Sequence, residues 1–234
     1  MVQYFNVPFS EKDKAYDLGA RFDRDCKTWF ADQQPVIDSM KLHFAPVTNP
    51  NPITDLEGED RTFGGNHLYI HLVPMSCWFH KLRPNIDPSD WKRLNAGLLL
   101  RSEHKCEICG AQQDPKREEF LDVILRWDYC DSSKTQILKR LVSACPLCVK
   151  ATNYGYSKLV GEEDIVRQHF RKVTSTDDVF LDQHIVETFG LWAQRSANHQ
   201  KWSLDLSLLT NNGIRLARRE RVAPAHVSDA QGDS

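Results

Sequence analysis

The sequence predicts an α+β protein in two parts, a small N-terminal module and a larger domain stapled by a metal ion. Three observations carry that expectation. Stretches in which apolar residues alternate with polar ones occur alongside stretches with helical apolar spacing. Two Cys-x-x-Cys pairs lie in the second half of the chain, at Cys106/Cys109 and Cys145/Cys148. A stretch from Pro35 to about Asn66, including APVTNPNPITDLEGEDRTFGGN, gathers prolines and glycines and separates the two parts.

The elements follow in order. Residues 1–35 read as the small module: an apolar strand in YFNVPF, a helix opened by Ser10 as N-cap with Glu11 and Asp13 in its first turn, Gly19 as its stop, and a second strand in KTWFA. A unit this small buries little surface by itself, so it is expected to pack on the rest of the chain or on a partner. Residues 36–65 read as a linker. The larger domain, residues 66–212, opens with a strand in HLYIHLVPM and continues into a helix in IDPSDWKRLNAGLLLRS. Pro88, Ser89 and Asp90 set the first turn of that helix, and Trp91, Leu94, Leu98 and Leu99 face the core.

That helix delivers the chain to Cys106. Beyond the first cysteine pair, Val123, Leu125, Trp127 and Tyr129 recur at period two and predict a strand, with TQILKRLVSAC as its partner. EEDIVRQHFRKV and DDVFLDQHIVETFGLWAQRSA have helical spacing, and WSLDLSLL alternates as a last strand. Residues 213–234 turn basic, then small and polar, and are expected to be disordered.

The 234 residues suffice for one full-sized domain and a small one, and 41% hydrophobic with 26% charged residues is the mix of a soluble globular protein. No run of 18 apolar residues occurs, and MVQYFNVPFSEKDK lacks the charged-then-apolar order of a signal peptide. A cytoplasmic protein with no membrane partner is the expectation. The net charge of −2 means that any nucleic-acid-binding face must be local. The candidates are Lys81, Arg83, Lys92 and Arg93, continuing to Arg101 and Lys105, and the run RLARRER ending at Arg221. The same residues would serve equally as a solvated face.

Seven cysteines without an export signal argue against a disulfide framework. Cys26, Cys77 and Cys130 stand alone and read as small apolar fillers. Cys106-Glu107-Ile108-Cys109 and Cys145-Pro146-Leu147-Cys148 are separated by 35 residues, and a tight turn between paired cysteines presents two sulfurs to one ion. Inert buried thiols are the alternative. A redox pair would need only one motif, placed inside a βαβ unit. Four thiolates fill a tetrahedral Zn²⁺ completely, so the expected cofactor is a structural Zn²⁺, worth on the order of 10 kcal/mol of apparent folding free energy.

A strand between two zinc knuckles, with the second knuckle opening a helix, resembles the zinc-bound subset of HNH endonucleases. Their ββα-metal core sits on a four-cysteine staple. The resemblance runs from about His71 to Leu209, through HLVPMSCWFHKLRP, CEICG, RWDY, CPLC, Gly155 and WSLDL. It implies a zinc-stapled ββα-metal core with flanking helices. In that family the strand supplies a general-base histidine in an H-E-x-W pattern, and the helix after the second knuckle supplies metal-binding histidines in C-H-x-x-x-H. Aligned on Trp127, this sequence has Ile124 and Leu125 in place of the base and its acidic neighbour, and Val149 and Asn153 in place of the ligands.

Those departures matter because phosphodiester hydrolysis of this kind needs a base for water and a divalent cation at the phosphoryl group. Isoleucine and valine supply neither. A rebuilt centre would have to use Asp122, Arg126 or Asp128, which share a strand face with Ile124 by period two. The nine histidines are scattered, and His184 in QHIVETF reads as a packed or surface residue.

YFNVPFSEKDKAYDLGARFDRDCKTWF in turn resembles a short module, V-P-[FY]-x-E-K-D-x-A-x-x-L-G-A-[RK]-[FW]-D-x-x-x-K-x-W, appended to plasmid primases and other DNA-processing proteins of mobile elements. Its Trp29 and Phe22 read as core more than as a base-stacking platform.

Three functions remain open from the sequence. The first is a catalytically silent HNH-like protein binding DNA, or a protein of a DNA-processing complex, in a mobile-element or phage-conflict setting. The second is a protein-only interaction or inhibitor module. The third is an active metal-dependent endonuclease with a rebuilt site.

Overall fold

The structure, a computed structural model, describes residues 2–24, 26–47, 51–77, 82–197 and 202–217. The N-terminal part is a four-stranded antiparallel sheet of β1 (Gln3–Asn6), β2 (Arg21–Asp23), β3 (Thr28–Ala31) and β4 (Ala45–Val47) in the order β2-β3-β1-β4. Helix α1 (Lys12–Asp17) connects β1 to β2, and α2 (Gln34–Lys41) connects β3 to β4. Phe5, Val7, Ala15, Ile37, Met40 and Phe44 bury together into a core of the module's own.

Two expectations change here. The module does not end at residue 35: α2 and β4 occupy the first part of the expected linker, because Ile37 and Met40 at helical spacing complete that core. Ser10 is not an N-cap. The chain enters α1 through a 3₁₀ turn over Phe9–Glu11, with Glu11 N donating to Pro8 O at 3.0 Å, and no side chain caps the helix. Gly19 does end it, at φ +90°, where a residue with a Cβ would be strained. Trp29 is partly buried against this core, whereas Phe22 is more exposed and packs edge-on to it at 5.7 Å.

The larger part is built on a long antiparallel hairpin, β5 (Asp122–Cys130) and β6 (Thr135–Ala144), with the short β7 (Ser203–Asp205) parallel to β6. The pairing slips between Arg126 and Trp127, which face Arg140 and Leu138, so Lys139 is an extra residue on β6. Helices cover both faces. On one side Leu125, Trp127, Leu138 and Leu141 pack with Leu94 and Leu98 of α3 (Pro88–Arg101) and Leu208 and Leu209 of α8 (Ser207–Thr210). On the other, Ile124, Val142 and Ala144 pack with α4 (Pro146–Thr152), α5 (Tyr154–Leu159), α6 (Glu163–Thr174) and α7 (Asp178–Ser196), through Cys148, Ala151, Tyr154, Val166, Phe170 and Leu181.

Helix α3 starts as the sequence predicts, with Pro88 at its first position, but Asp87 is the cap: its carboxylate accepts from Ser89 N at 2.9 Å and Asp90 N at 3.4 Å. HLYIHLVPM forms no strand. Its alternation reflects Leu68 and Ile70 inserted beneath the helices, with Ile70 N donating to His184 Nε2 at 3.0 Å and His71 N to Thr152 O at 2.9 Å. His184 is thus a packed residue that accepts a backbone hydrogen bond. The last strand shortens to β7 because α8 takes up Ser207–Thr210.

The domain does not stop at residue 212. Ile214 enters the core, and the Arg215 guanidinium bonds Asp90 and Asp87 at 2.9 and 3.0 Å. The rest of the expected tail, 218–234, lies outside the described residues, as does most of RLARRER.

Candidate metal centre

The first knuckle is a turn built by backbone hydrogen bonds. Gly110 N donates to Cys106 O at 2.9 Å and Cys106 N to Ala111 O at 2.8 Å. Gly110 sits at φ +75° with open space around it. The second knuckle is the junction of β6 with α4: Cys145 is the N-cap residue, Pro146 opens the helix, and Cys148 points into the core, fully buried.

The hairpin brings the two together. The four sulfurs, Cys106, Cys109, Cys145 and Cys148, all lie within 4.8 Å of one another, with Cys109 and Cys145 at 3.6 Å, and all are free thiols. Among the described residues this is the only such gathering of histidine, cysteine or acidic groups.

The spacing fits a thiophilic metal ion. A tetrahedron with arms of about 2.3 Å has edges of about 3.8 Å, comparable to the separations seen. The acid–base chemistry agrees. Hydrogen bonds from the Cys145 and Cys148 thiols hold the Cys106 thiol far below its ordinary range. The hydrogen bond to Cys106 pushes Cys145 up to about 12. Contacts with Cys106 and Cys145, and then burial, push Cys148 higher still. Such a cluster readily ionises once; four thiolates side by side need a cation. His169 on α6 lies against the cluster with Nε2 at 3.2 Å from Cys148 Sγ, where an Nε2–H would donate to the sulfur.

Four charged side chains lash the first knuckle to the hairpin. Glu107, inside the knuckle, is 3.0 Å from Arg140 Nη2 and 3.7 Å from Arg101 Nε. Arg101 forks onto Glu59 at 2.6 and 3.1 Å, and Glu59 also accepts from Leu141 N at 2.9 Å. These groups are nearly all withdrawn from water, so each charge depends on its partner. Sequence reading missed Glu59, Arg140 and the role of Arg101, because apart from the local Arg101–Glu107 pair the contacts join positions 33 to 82 residues apart. The glutamate inside CEIC was the one available hint.

The three catalytic candidates differ in their exposure. Asp122 is exposed at the start of β5, Asp128 is half-buried, and Arg126 is completely buried. The Arg126 guanidinium lies 3.9 Å from the Tyr69 ring and its Nη2 donates to His67 O at 2.9 Å, while Nε and Nη1 have no hydrogen-bond partner among the described residues. Burial pulls its pKa down; the Tyr69 hydroxyl and the Cys148 sulfur act the other way. A metal bound by four thiolates would leave the centre negative, and Arg126 lies in its field.

A small cavity of about 40 Å³ lies between β5 and the end of α4, lined by His71, Ile124, Thr152 and Asn153 among others. Val149 is partly buried against the core on the same helix. Among the described residues no carboxylate lines the cavity. Its one imidazole, His71, comes from the preceding segment and was not singled out in the sequence. Burial, reinforced by Arg126 and Arg195, holds its pKa down at about 3, so it is uncharged near neutrality.

Of the nucleic-acid candidates, Lys81 lies outside the described residues. Arg83 is exposed. Lys92 is half-buried, bonds Asn6 Oδ1 at 2.6 Å, and has its pKa lowered by burial. Arg93 is committed to Asp90 at 3.3 Å and to Asn51 O at 3.1 Å. Among the described residues no helix is long and apolar enough to cross a membrane.

A family model described as a domain of unknown function, DUF5710, matches residues 3–42, which run from β1 through α2 and stop short of β4. No curated protein and no solved structure matches the chain.

Proposed function

We propose that this chain is a zinc-stapled, HNH-like protein that has lost hydrolysis and binds nucleic acid, DNA first of all, or a protein of a DNA-processing complex. The observation that carries this reading is the hairpin β5–β6 running through Cys145 into α4, with the cavity between strand and helix lined by Ile124, Thr152, Asn153 and a neutral His71. The strand–strand–helix order on a four-cysteine staple is the arrangement the HNH resemblance implies. The groups that would activate water and hold a hard divalent cation are missing from the position where that arrangement uses them. Four cysteines and no open ligand position favour Zn²⁺ in a structural role. The likeness of the N-terminal module to those of mobile-element proteins supports a mobile-element or phage-conflict setting.

The test joins three measurements on the purified protein: metal content by mass spectrometry, plasmid nicking with added Mg²⁺ and Mn²⁺, and DNA binding as a function of salt. One zinc per chain, an intact plasmid and steeply salt-dependent binding are expected. Metal-dependent nicking abolished by His71→Ala would replace this reading with an active nuclease. The protein-only reading draws on one observation, the exposed apolar side chains of α7 at Val179, Phe180, Val186 and Leu191. A stable protein partner together with no DNA binding at low salt would establish it instead.

A further inference from the structure

We infer that the cleft between the N-terminal module and α3 binds a single-stranded segment of nucleic acid, with unstacked bases on Trp91 and Phe120 and phosphates on Lys27, Arg83 and Lys92. The inference rests on the nucleic-acid reading above and gives it a substrate class and a place.

The cleft has a volume of about 970 Å³. It draws cations from three separate parts of the chain: Lys27 from the turn before β3, Arg83 from the turn before α3, and Lys92 from α3. Among the described residues none of the three is paired with a carboxylate. Lys92 meets only the neutral amide of Asn6, whereas the adjacent Arg93, which does not line the cleft, is tied to Asp90. Asp122 is the one acidic group of the lining, so the cleft is locally positive on a chain whose net charge is −2. Cations left uncommitted in a concave site attract an anion.

The aromatic residues narrow the choice. Phe120 is 54% exposed, a large apolar ring left in water beside the cations, and the half-buried Trp91 borders the same space. In a duplex the bases stack on each other and the protein meets phosphates and groove edges. Aromatic faces interleaved with cations in a concave groove instead match an unpaired strand, whose bases are free to stack on side chains. Lys27 belongs to the segment matched by DUF5710. The module would therefore contribute directly to the binding surface.

Fluorescence anisotropy with a labelled oligothymidylate, an oligouridylate and a duplex of equal length tests the inference on the full, metal-loaded chain. The wild type is expected to bind either or both single strands more tightly than the duplex, and the ratio of the first two identifies DNA or RNA as the ligand. Phe120→Ala should weaken single-strand binding about tenfold with an unchanged melting temperature, because the ring is exposed. Lys27→Ala should reduce the slope of log affinity against log salt by about 0.7. Equal or better duplex binding, or single-strand binding untouched by both substitutions, overturns the inference and leaves nucleic-acid binding standing. Failure of all three probes to bind at low salt overturns both.

Discussion

Replacing Gly97 by alanine tests the packing that carries the chain to the metal centre. Gly97 lies in the middle of α3, where alanine would ordinarily stabilise by about 1 kcal/mol. Here an added Cβ would lie 1.9 Å from Ile53 O and 2.2 Å from Ile53 C. Non-bonded carbon contacts are comfortable only at about 3.5 Å or more, so the backbone at Ile53 must retreat by more than an ångström. That movement pulls Ile53 N away from Arg93 O, now at 3.0 Å, and withdraws the Ile53 side chain from the core around Leu94 and Leu98.

A lost buried hydrogen bond costs about 1 kcal/mol, and half of an isoleucine's burial costs about another 1 kcal/mol. Residual strain adds on the order of 1–2 kcal/mol. Against the propensity gain, the net loss is about 2–3 kcal/mol, a fall in melting temperature of about 4–12 °C for a domain of this size. Gly190→Ala is the control. Gly190 also lies in a helix, with nothing within 4 Å of the added Cβ, so only the propensity gain applies. Calorimetry of both variants decides the matter: a Gly97→Ala protein as stable as Gly190→Ala would refute the close approach of residue 53 to α3.

Three other outcomes follow from the same geometry. If the four cysteines hold a metal ion, a strong chelator, or a pH low enough for protons to compete for the four thiolates, should lower the melting temperature by well over 10 °C, with metal release and unfolding tracked together. Glu59→Gln should cost about 3 kcal/mol in urea unfolding, because Arg101 would keep its charge in a site only 8% exposed without an anionic partner of equal geometry. His71, with its folded pKa down at about 3 against an ordinary 6.5, binds fewer protons folded than unfolded between those values. Its contribution to stability is therefore complete above pH 6.5 and is lost as pH falls towards 3; His71→Gln should flatten that part of the profile, and NMR should find a neutral imidazole at pH 5.

What the sequence disclosed and what it hid divide along a physical line. The hairpin β5–β6, α3, α6 and α7 are legible because each buries a regular stripe or face, and periodicity reports burial. The four cysteines are legible because a site for one ion asks for the same local spacing whatever the surrounding fold, and the four sulfurs do come together. The segment around Leu68 and Ile70 misleads for the same reason that periodicity works: alternate residues are buried, but under helices instead of in a sheet, and a period of two records only that one side of an extended chain is covered. Short elements such as α2 and β4 fall below what a proline-rich stretch can signal, since their stability comes from closing the module's core. Hidden most completely is the balance of charge. Glu59, Arg101, Glu107 and Arg140 meet across three separate stretches of sequence, and each is unremarkable alone. Arg126, which the sequence offers as part of a rebuilt centre on the Ile124 face, is fully buried beside Tyr69 and within the field of Cys148. A buried guanidinium with two nitrogens unsatisfied among the described residues needs electron-rich groups near it; Tyr69 is the first of these, and a metal-loaded thiolate cluster at Cys148 would add negative charge. The staple and the buried arginine are then parts of one electrostatic unit, so Arg126→Met should weaken metal retention without removing any ligand, a change that competition with a chromogenic chelator would read directly.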